Sequence, residues 1–151
     1  MSHTTLDFLP EPSGPDSENT SSPWATHRDD APIEGGFDAK YGDVMWQTLI
    51  CGDRMQSTDL VLGIAHIPAF GSLPLHSHDP AEFYFVVSGY AEVSIDGKIA
   101  TVGSGMAIFI PGGAIHGITA GAEGIEFIYG FPESRFGDVI YNFSQQQGVE
   151  Q

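Results

Sequence analysis

From Val44 onward, short runs rich in β-branched and aromatic residues alternate with turns built on glycine, proline and aspartate. The runs are VMWQTLI (44–50), DLVLGIAHI (59–67), AEFYFVVS (81–88), YAEVSI (90–95), KIATV (98–102), AIFI (107–110), GIEFIYGF (124–131) and DVIYNF (138–143). Runs of this length and composition favour extended strands. Asp96-Gly97, between two alternating runs, predicts a tight hairpin. Nineteen glycines and ten prolines supply the chain reversals that many short strands require. No stretch carries helical periodicity of useful length. An all-β sandwich or barrel is therefore predicted.

The first 43 residues read differently. Residues 1–23 are rich in Ser, Thr, Pro and acids, bury little, and are expected to be mobile. Residues 24–43 are polar, broken by Pro32 and Gly35-Gly36, and predict an irregular arm with one helical turn. Trp24, Ile33 and Phe37 are its candidate anchors to the domain or to a partner subunit. The division expected is an arm over 1–43 and one barrel domain over 44–151.

Charge narrows the partners. Twenty Asp and Glu against five Lys and Arg give a formal charge of -15. Nucleic acid and anionic membrane surfaces need a basic patch, which this balance argues against. The single cysteine, Cys51, has no partner for an internal disulfide and fits a reducing compartment. No apolar run approaches the ~18 residues of a membrane helix, and the N-terminus lacks a secretory pattern. A cytoplasmic protein acting on a small molecule is expected.

Two stretches carry ligand chemistry. GSLPLHSHDPAEFYFVVSG (71–89) holds His76, His78, Glu82 and Tyr84, and GMAIFIPGGAIH (105–116) adds His116. Side chains of equal parity share a face of an extended strand. If the link at Asp79–Ala81 keeps that register, His76, His78, Glu82 and Tyr84 all look inward. Three imidazoles and one carboxylate then make a divalent-metal site with coordination positions to spare. Open positions admit a substrate or an activated water. Cys51 lies outside both stretches and reads as a small buried apolar residue. His3, His27 and His66 read as structural or solvated, and Asp79 as turn chemistry in preference to a hydrogen-bond acceptor behind the ligands.

The same two stretches resemble the cupin motifs. His76, His78, Glu82 and Gly89 fit His-x-His-x3-Glu-x6-Gly, and Gly105, Pro111, Gly113 and His116 fit Gly-x5-Pro-x-Gly-x2-His. Gly71 stands one residue closer to His76 than the usual pattern, and Ala120 replaces the asparagine that often ends the second motif. The resemblance implies a double-stranded β-helix barrel behind the arm and a homodimer. It also implies one divalent transition metal: iron(II) first, with manganese, nickel, cobalt or zinc as alternatives.

Within the cupins, Glu82-Phe83-Tyr84 and a tyrosine-bearing final run are similar to the small single-domain enzymes that cleave dimethylsulfoniopropionate. That resemblance implies β-elimination to dimethyl sulfide and acrylate, with Tyr84 or Tyr141 taking the α-proton. Tyr84 lies two residues beyond Glu82 on the same face, about 7 Å away. The sulfonium would rest on aromatic faces, for which Trp46, Phe85, Phe109 and Phe127 are candidates. The same ligand set also suits an iron(II) dioxygenase, a sugar or uronate isomerase, or a non-catalytic small-molecule-binding module.

Overall fold

The computed structural model describes residues 23–143. The expected mobile tail, and with it His3, lies outside the described residues. Nine strands occur among them: β1 (Glu34–Gly35), β2 (Met45–Ile50), β3 (Val61–Ile67), β4 (Ser72–Ser77), β5 (Glu82–Ile95), β6 (Lys98–Gly103), β7 (Ala107–Ile110), β8 (His116–Phe131) and β9 (Asn142–Phe143). Every pairing is antiparallel, and 3₁₀ turns at Arg28–Asp30 and Phe136–Asp138 are the helical elements among the described residues. The all-β prediction holds.

Two long strands organise the barrel. β5 and β8 pair with each other from Phe83↔Gly130 to Ile95↔His116. On one side, the C-terminal half of β8 pairs with β3, which leads out to β2 and β1. The N-terminal half of β8 pairs instead with β4, which carries β9. β5 likewise pairs with β7 through residues 82–85 and with β6 through residues 90–95. Each long strand thus serves two halves of one curled sheet, and the core of Val61, Ile67, Val86, Ile110, Ile125, Phe127 and Phe131 fills the space between.

The bend in β5 explains one departure from expectation. Residues 81–88 and 90–95 read as separate strands, yet they form one strand that bends at Gly89. Its register shifts between Val86 and Ser88 and again between Gly89 and Ala91. Extra residues of this kind are bulges, and they reverse the faces. Glu82, Tyr84 and Val86 are buried before the bend, Ala91 and Val93 after it. Gly89 has φ +78°, and a Cβ there would collide with the Gly124 carbonyl. Gly124, at φ +71°, is the matching bend of β8. The same interruptions hid the first half of β8, whose HGITAGAE has too little apolar alternation to announce a strand.

Other details follow local chemistry. Asp96 and Gly97 both have positive φ and join Ile95 to Lys98 as the predicted hairpin. Residues 138–143 are mostly a turn, with only β9 paired, although Val139 is still buried. The arm contains its single helical turn, at Arg28–Asp30. The expected anchors are largely exposed on this chain: Trp24, Ile33 and Phe37 are 82%, 70% and 86% exposed. Ala31 is buried instead, the Gln47 side chain donates to the Arg28 and Ala31 carbonyls, and β1 pairs with β2. Small and polar groups suffice because a β-edge is satisfied by backbone hydrogen bonds. No helix among the described residues is long and apolar enough to cross a membrane.

Candidate metal centre

Four side chains from three strands meet inside the barrel. His76 is near the end of β4, His78 follows that strand, Glu82 opens β5 and His116 opens β8. His76 and His116 are cross-strand partners, their ring centres 4.2 Å apart. One ligand atom from each of the four lies within 4.8 Å of the others, and all four residues are buried. His76, His78, Glu82 and Tyr84 are all buried across the loop at Asp79–Ala81, as their parity predicts, and Gly113 N–H donates to the His78 carbonyl at 2.8 Å, which pins the second motif's turn onto that loop.

The backbone orients each imidazole. Nδ1 of His76, His78 and His116 lies 2.8, 2.9 and 2.9 Å from the carbonyl oxygens of Pro74, Pro80 and Ala114. A carbonyl only accepts, so each Nδ1 carries the proton; Nε2 of His76 and of His116 then keeps its lone pair, while Nε2 of His78 donates to the Glu82 carboxylate at 2.8 Å. Such a partner behind the ring is what metal-binding histidines require. Asp79 is exposed and plays no such part, so the acceptors behind the ligands are backbone carbonyls.

The donor set fits a cation by its own discomfort. His76 Nε2 and His116 Nε2 are buried without a hydrogen-bond partner. Glu82 Oε2 lies 2.8 Å from His78 Nε2 and 3.3 Å from His116 Nε2, the second contact lacking hydrogen-bond alignment. Buried polar atoms left unpaired are costly, and a divalent ion would satisfy all four at once. Burial, and then the neighbouring His116, push the His76 imidazole down to about 4, so it is neutral and ready to donate its lone pair at pH 7. For His78 burial pulls downward too, but the hydrogen bond and charge of Glu82 outweigh it and hold the ring above the usual range.

Beside these residues lies a cavity of about 40 Å³. Glu82 and Tyr84 line it together with Tyr41, Trp46, Phe127 and Tyr141, and Tyr129 and Phe136 complete its aromatic wall. Tyr84 is buried, packs on Phe127 at 4.5 Å between ring centres, and its hydroxyl has no hydrogen-bond partner. Tyr141 sits 5.3 Å from the His76 ring and 5.2 Å from the His78 ring. Burial first, and the Glu82 carboxylate second, raise both phenols well above their ordinary value. Tyr129 differs, because its hydroxyl is bound to Thr48 Oγ1 at 2.8 Å.

Of the four aromatic candidates, Trp46 and Phe127 line the cavity. Phe85 and Phe109 have the wrong parity on β5 and β7 and are 42% and 69% exposed. Tyr41, Tyr129 and Phe136 were missed. Parity with Phe127 along β8 would have found Tyr129. Tyr41 and Phe136 lie in turns, where alternation gives no signal. His66 stands on the outer face opposite Glu126, and His27 Nδ1 accepts from Asp29 N–H in the arm's turn, so neither joins the site. Cys51 is buried and free.

Comparison with known proteins agrees. Residues 63–129 match the Cupin domain family. The chain is 42% identical over 122 residues to dimethylsulfoniopropionate lyase DddW of Ruegeria pomeroyi, spanning 81% of this chain and 80% of that one. In structure it resembles the polyketide cyclase RemF of Streptomyces resistomycificus, at a TM-score of 0.68 and 25% identity over 81% of this chain and 85% of that one. An RmlC-like cupin from Shewanella frigidimarina shares the fold at a TM-score of 0.61 and 20% identity, over 74% of this chain and 92% of that one. Motifs, fold and relatives converge: the chain belongs to the cupin family, among its small lyases that resemble the dimethylsulfoniopropionate lyases.

Proposed function

We propose that this cupin cleaves dimethylsulfoniopropionate by β-elimination, using one divalent metal held by His76, His78, Glu82 and His116. What carries the reading is the meeting of four ligand atoms within 4.8 Å with an aromatic cavity that two buried tyrosines line. The lyase relative, similar over four-fifths of both chains, supports the substrate. A nitrogen and oxygen donor set without thiolate suits iron(II), the metal we propose. The assembly proposed is a cytoplasmic homodimer of barrels spanning residues 44–151, with residues 1–43 as an arm.

The cavity's chemistry matches the substrate's two ends. No basic side chain lines it, so the substrate carboxylate has to find its counter-charge at the metal position. The sulfonium faces Trp46 and its aromatic neighbours, where a desolvated cation is attracted by the ring quadrupoles. Such a wall offers little to a polyol, which disfavours a sugar isomerase. A divalent cation, when bound, supplies Lewis acidity toward the carboxylate and acidifies the α-proton. Tyr84, as phenolate, takes that proton at Oη. The electron pair of the broken C–H bond forms the Cα–Cβ double bond, and the Cβ–S pair leaves with sulfur. Dimethyl sulfide and acrylate are the products, and the Tyr84 proton returns to solvent. Tyr141, packed against His76 and His78, is the second catalytic tyrosine and orients the carboxylate end.

The test is direct. Protein loaded with iron, manganese, cobalt, nickel or zinc is given dimethylsulfoniopropionate, and dimethyl sulfide is measured in the headspace. Release above buffer, greatest with iron, is expected. No release with any of the five metals overturns the lyase reading.

A further inference from the structure

Four aromatic rings close a circuit around the cavity. Tyr41 stands 5.7 Å from Trp46, Trp46 6.1 Å from Phe136, Phe136 6.2 Å from Tyr141, and Tyr141 6.0 Å from Tyr41, measured between ring centres. Neighbouring rings are tilted by 55°, 41°, 48° and 73°, so no two neighbours in the circuit stack. All four line the same cavity. With sides of this length, the centre falls within the ~6 Å over which a ring attracts a cation.

Three walls belong to β2 and to the segment after β8. The fourth comes from the arm. Tyr41 rides on a small self-contained turn: Asp38 and Gly42 exchange two backbone hydrogen bonds of 2.8 and 2.7 Å, and Asp38 Oδ1 accepts from the Lys40 and Tyr41 amides. Asp43 fastens its end to Ser72 through two more, at 2.9 and 3.0 Å. The turn therefore presents Tyr41 to the cavity from outside the barrel's ladders, and the Tyr41 ring packs on Phe143 at 5.1 Å between ring centres.

We infer that Tyr41 is the fourth wall of a cage for a methylated onium group and sets a preference for a cationic head over a neutral one of equal shape. The identity of the onium rests on the lyase reading; the cage itself rests on the four rings. Neutral methylated groups gain only apolar contact from such walls, whereas a cation gains the quadrupole attraction of each ring. Removing one ring should therefore penalise the charged occupant selectively.

The experiment uses the metal-loaded full chain and two probes, tetramethylammonium and its neutral counterpart tert-butanol, with tryptophan emission as the readout. Trp46 is one of two tryptophans in the chain and forms a wall of the cage. Tetramethylammonium should change the emission saturably and tert-butanol should not. Tyr41→Leu should weaken the cation about tenfold or more, Tyr41→Gln should do the same with a polar side chain, and Tyr41→Phe should restore most of the affinity. Absent binding to the wild type, equal binding of the two probes, or affinity unmoved by both truncations overturns the cage. Dimethyl sulfide release by the same preparations separates the two readings. A cage without release removes the lyase substrate alone, and release without the cage pattern removes Tyr41's role alone.

Discussion

The Tyr84 hydroxyl is buried on the Glu82 side of the cavity without a hydrogen-bond partner. Leaving such a group unpaired costs about 1–3 kcal/mol, so its oxygen is held for something the fold alone does not use. Burial and the Glu82 carboxylate both favour the protonated phenol. A bound cation opposes the carboxylate and lowers that barrier to ionisation. The base must be ionised to act, so turnover should rise from neutral toward alkaline pH. Tyr84→Phe should lower turnover by about 10²-fold or more, abolish that rise, and leave metal content unchanged. Headspace rates across the pH range and metal analysis on the same samples check this. A variant with the wild-type rate and profile would reduce Tyr84 to packing on Phe127.

Among the elements, the paired bends of β5 and β8 decide whether the metal residues can meet. Gly89 closes the first motif seven residues after Glu82, and the structure supplies the reason for a glycine there. Its left-handed backbone and the nearby Gly124 carbonyl leave no place for a Cβ. An L-residue in that conformation costs about 1–2 kcal/mol before any clash is counted. Gly89→Ala should therefore lower stability by about 2 kcal/mol or more, read from the urea midpoint. Gly97→Ala is the control. Gly97 shares the positive φ, but a Cβ there meets nothing within 4 Å, so only the conformational cost of about 1–2 kcal/mol applies. Equal losses at the two sites would mean the approach of the bends is not what Gly89 serves.

For the whole molecule, metal and fold are coupled. The ligands come from β4, β5, β8 and the loop after β4, so an ion bound there ties three strands together. Anything that binds only the folded state at a hundred times its Kd adds about 2.7 kcal/mol of stability. For a domain of this size that amounts to a Tm rise of several degrees. Metal loading should produce this rise in a thermal melt and a chelator should reverse it. His116→Ala should lose both the bound metal and the rise. Protons compete with the metal for its ligand nitrogens, so retention should fall as pH drops, first through His78, whose ring is held above the usual range, and last through His76, held down to about 4. A melt indifferent to metal, chelator and His116→Ala would deny the ion its place among these four residues.

The sequence by itself determined which side chains share a face. Strand periodicity is local, and it brought His76, His78, Glu82 and Tyr84 to one side and predicted the Asp96-Gly97 hairpin, all without knowledge of the neighbours. It was also enough to reveal the family. What it could not hold were features created by one strand meeting another. Gly89 reads as a break and is a bend, because only pairing with β8 turns an interruption into a bulge. The first half of β8 has little alternation of its own and is extended because β4 and β5 flank it. Phe109 has no metal residue on its own strand to set its parity, and only the pairing of β7 with β5 shows that it faces outward beside Phe83. Tyr41 and Phe136 reach the cavity from turns, which have no period to read, and the carbonyls behind the histidines carry no residue-specific signature. Tertiary structure alone decided these, because each depends on contacts between segments distant along the chain.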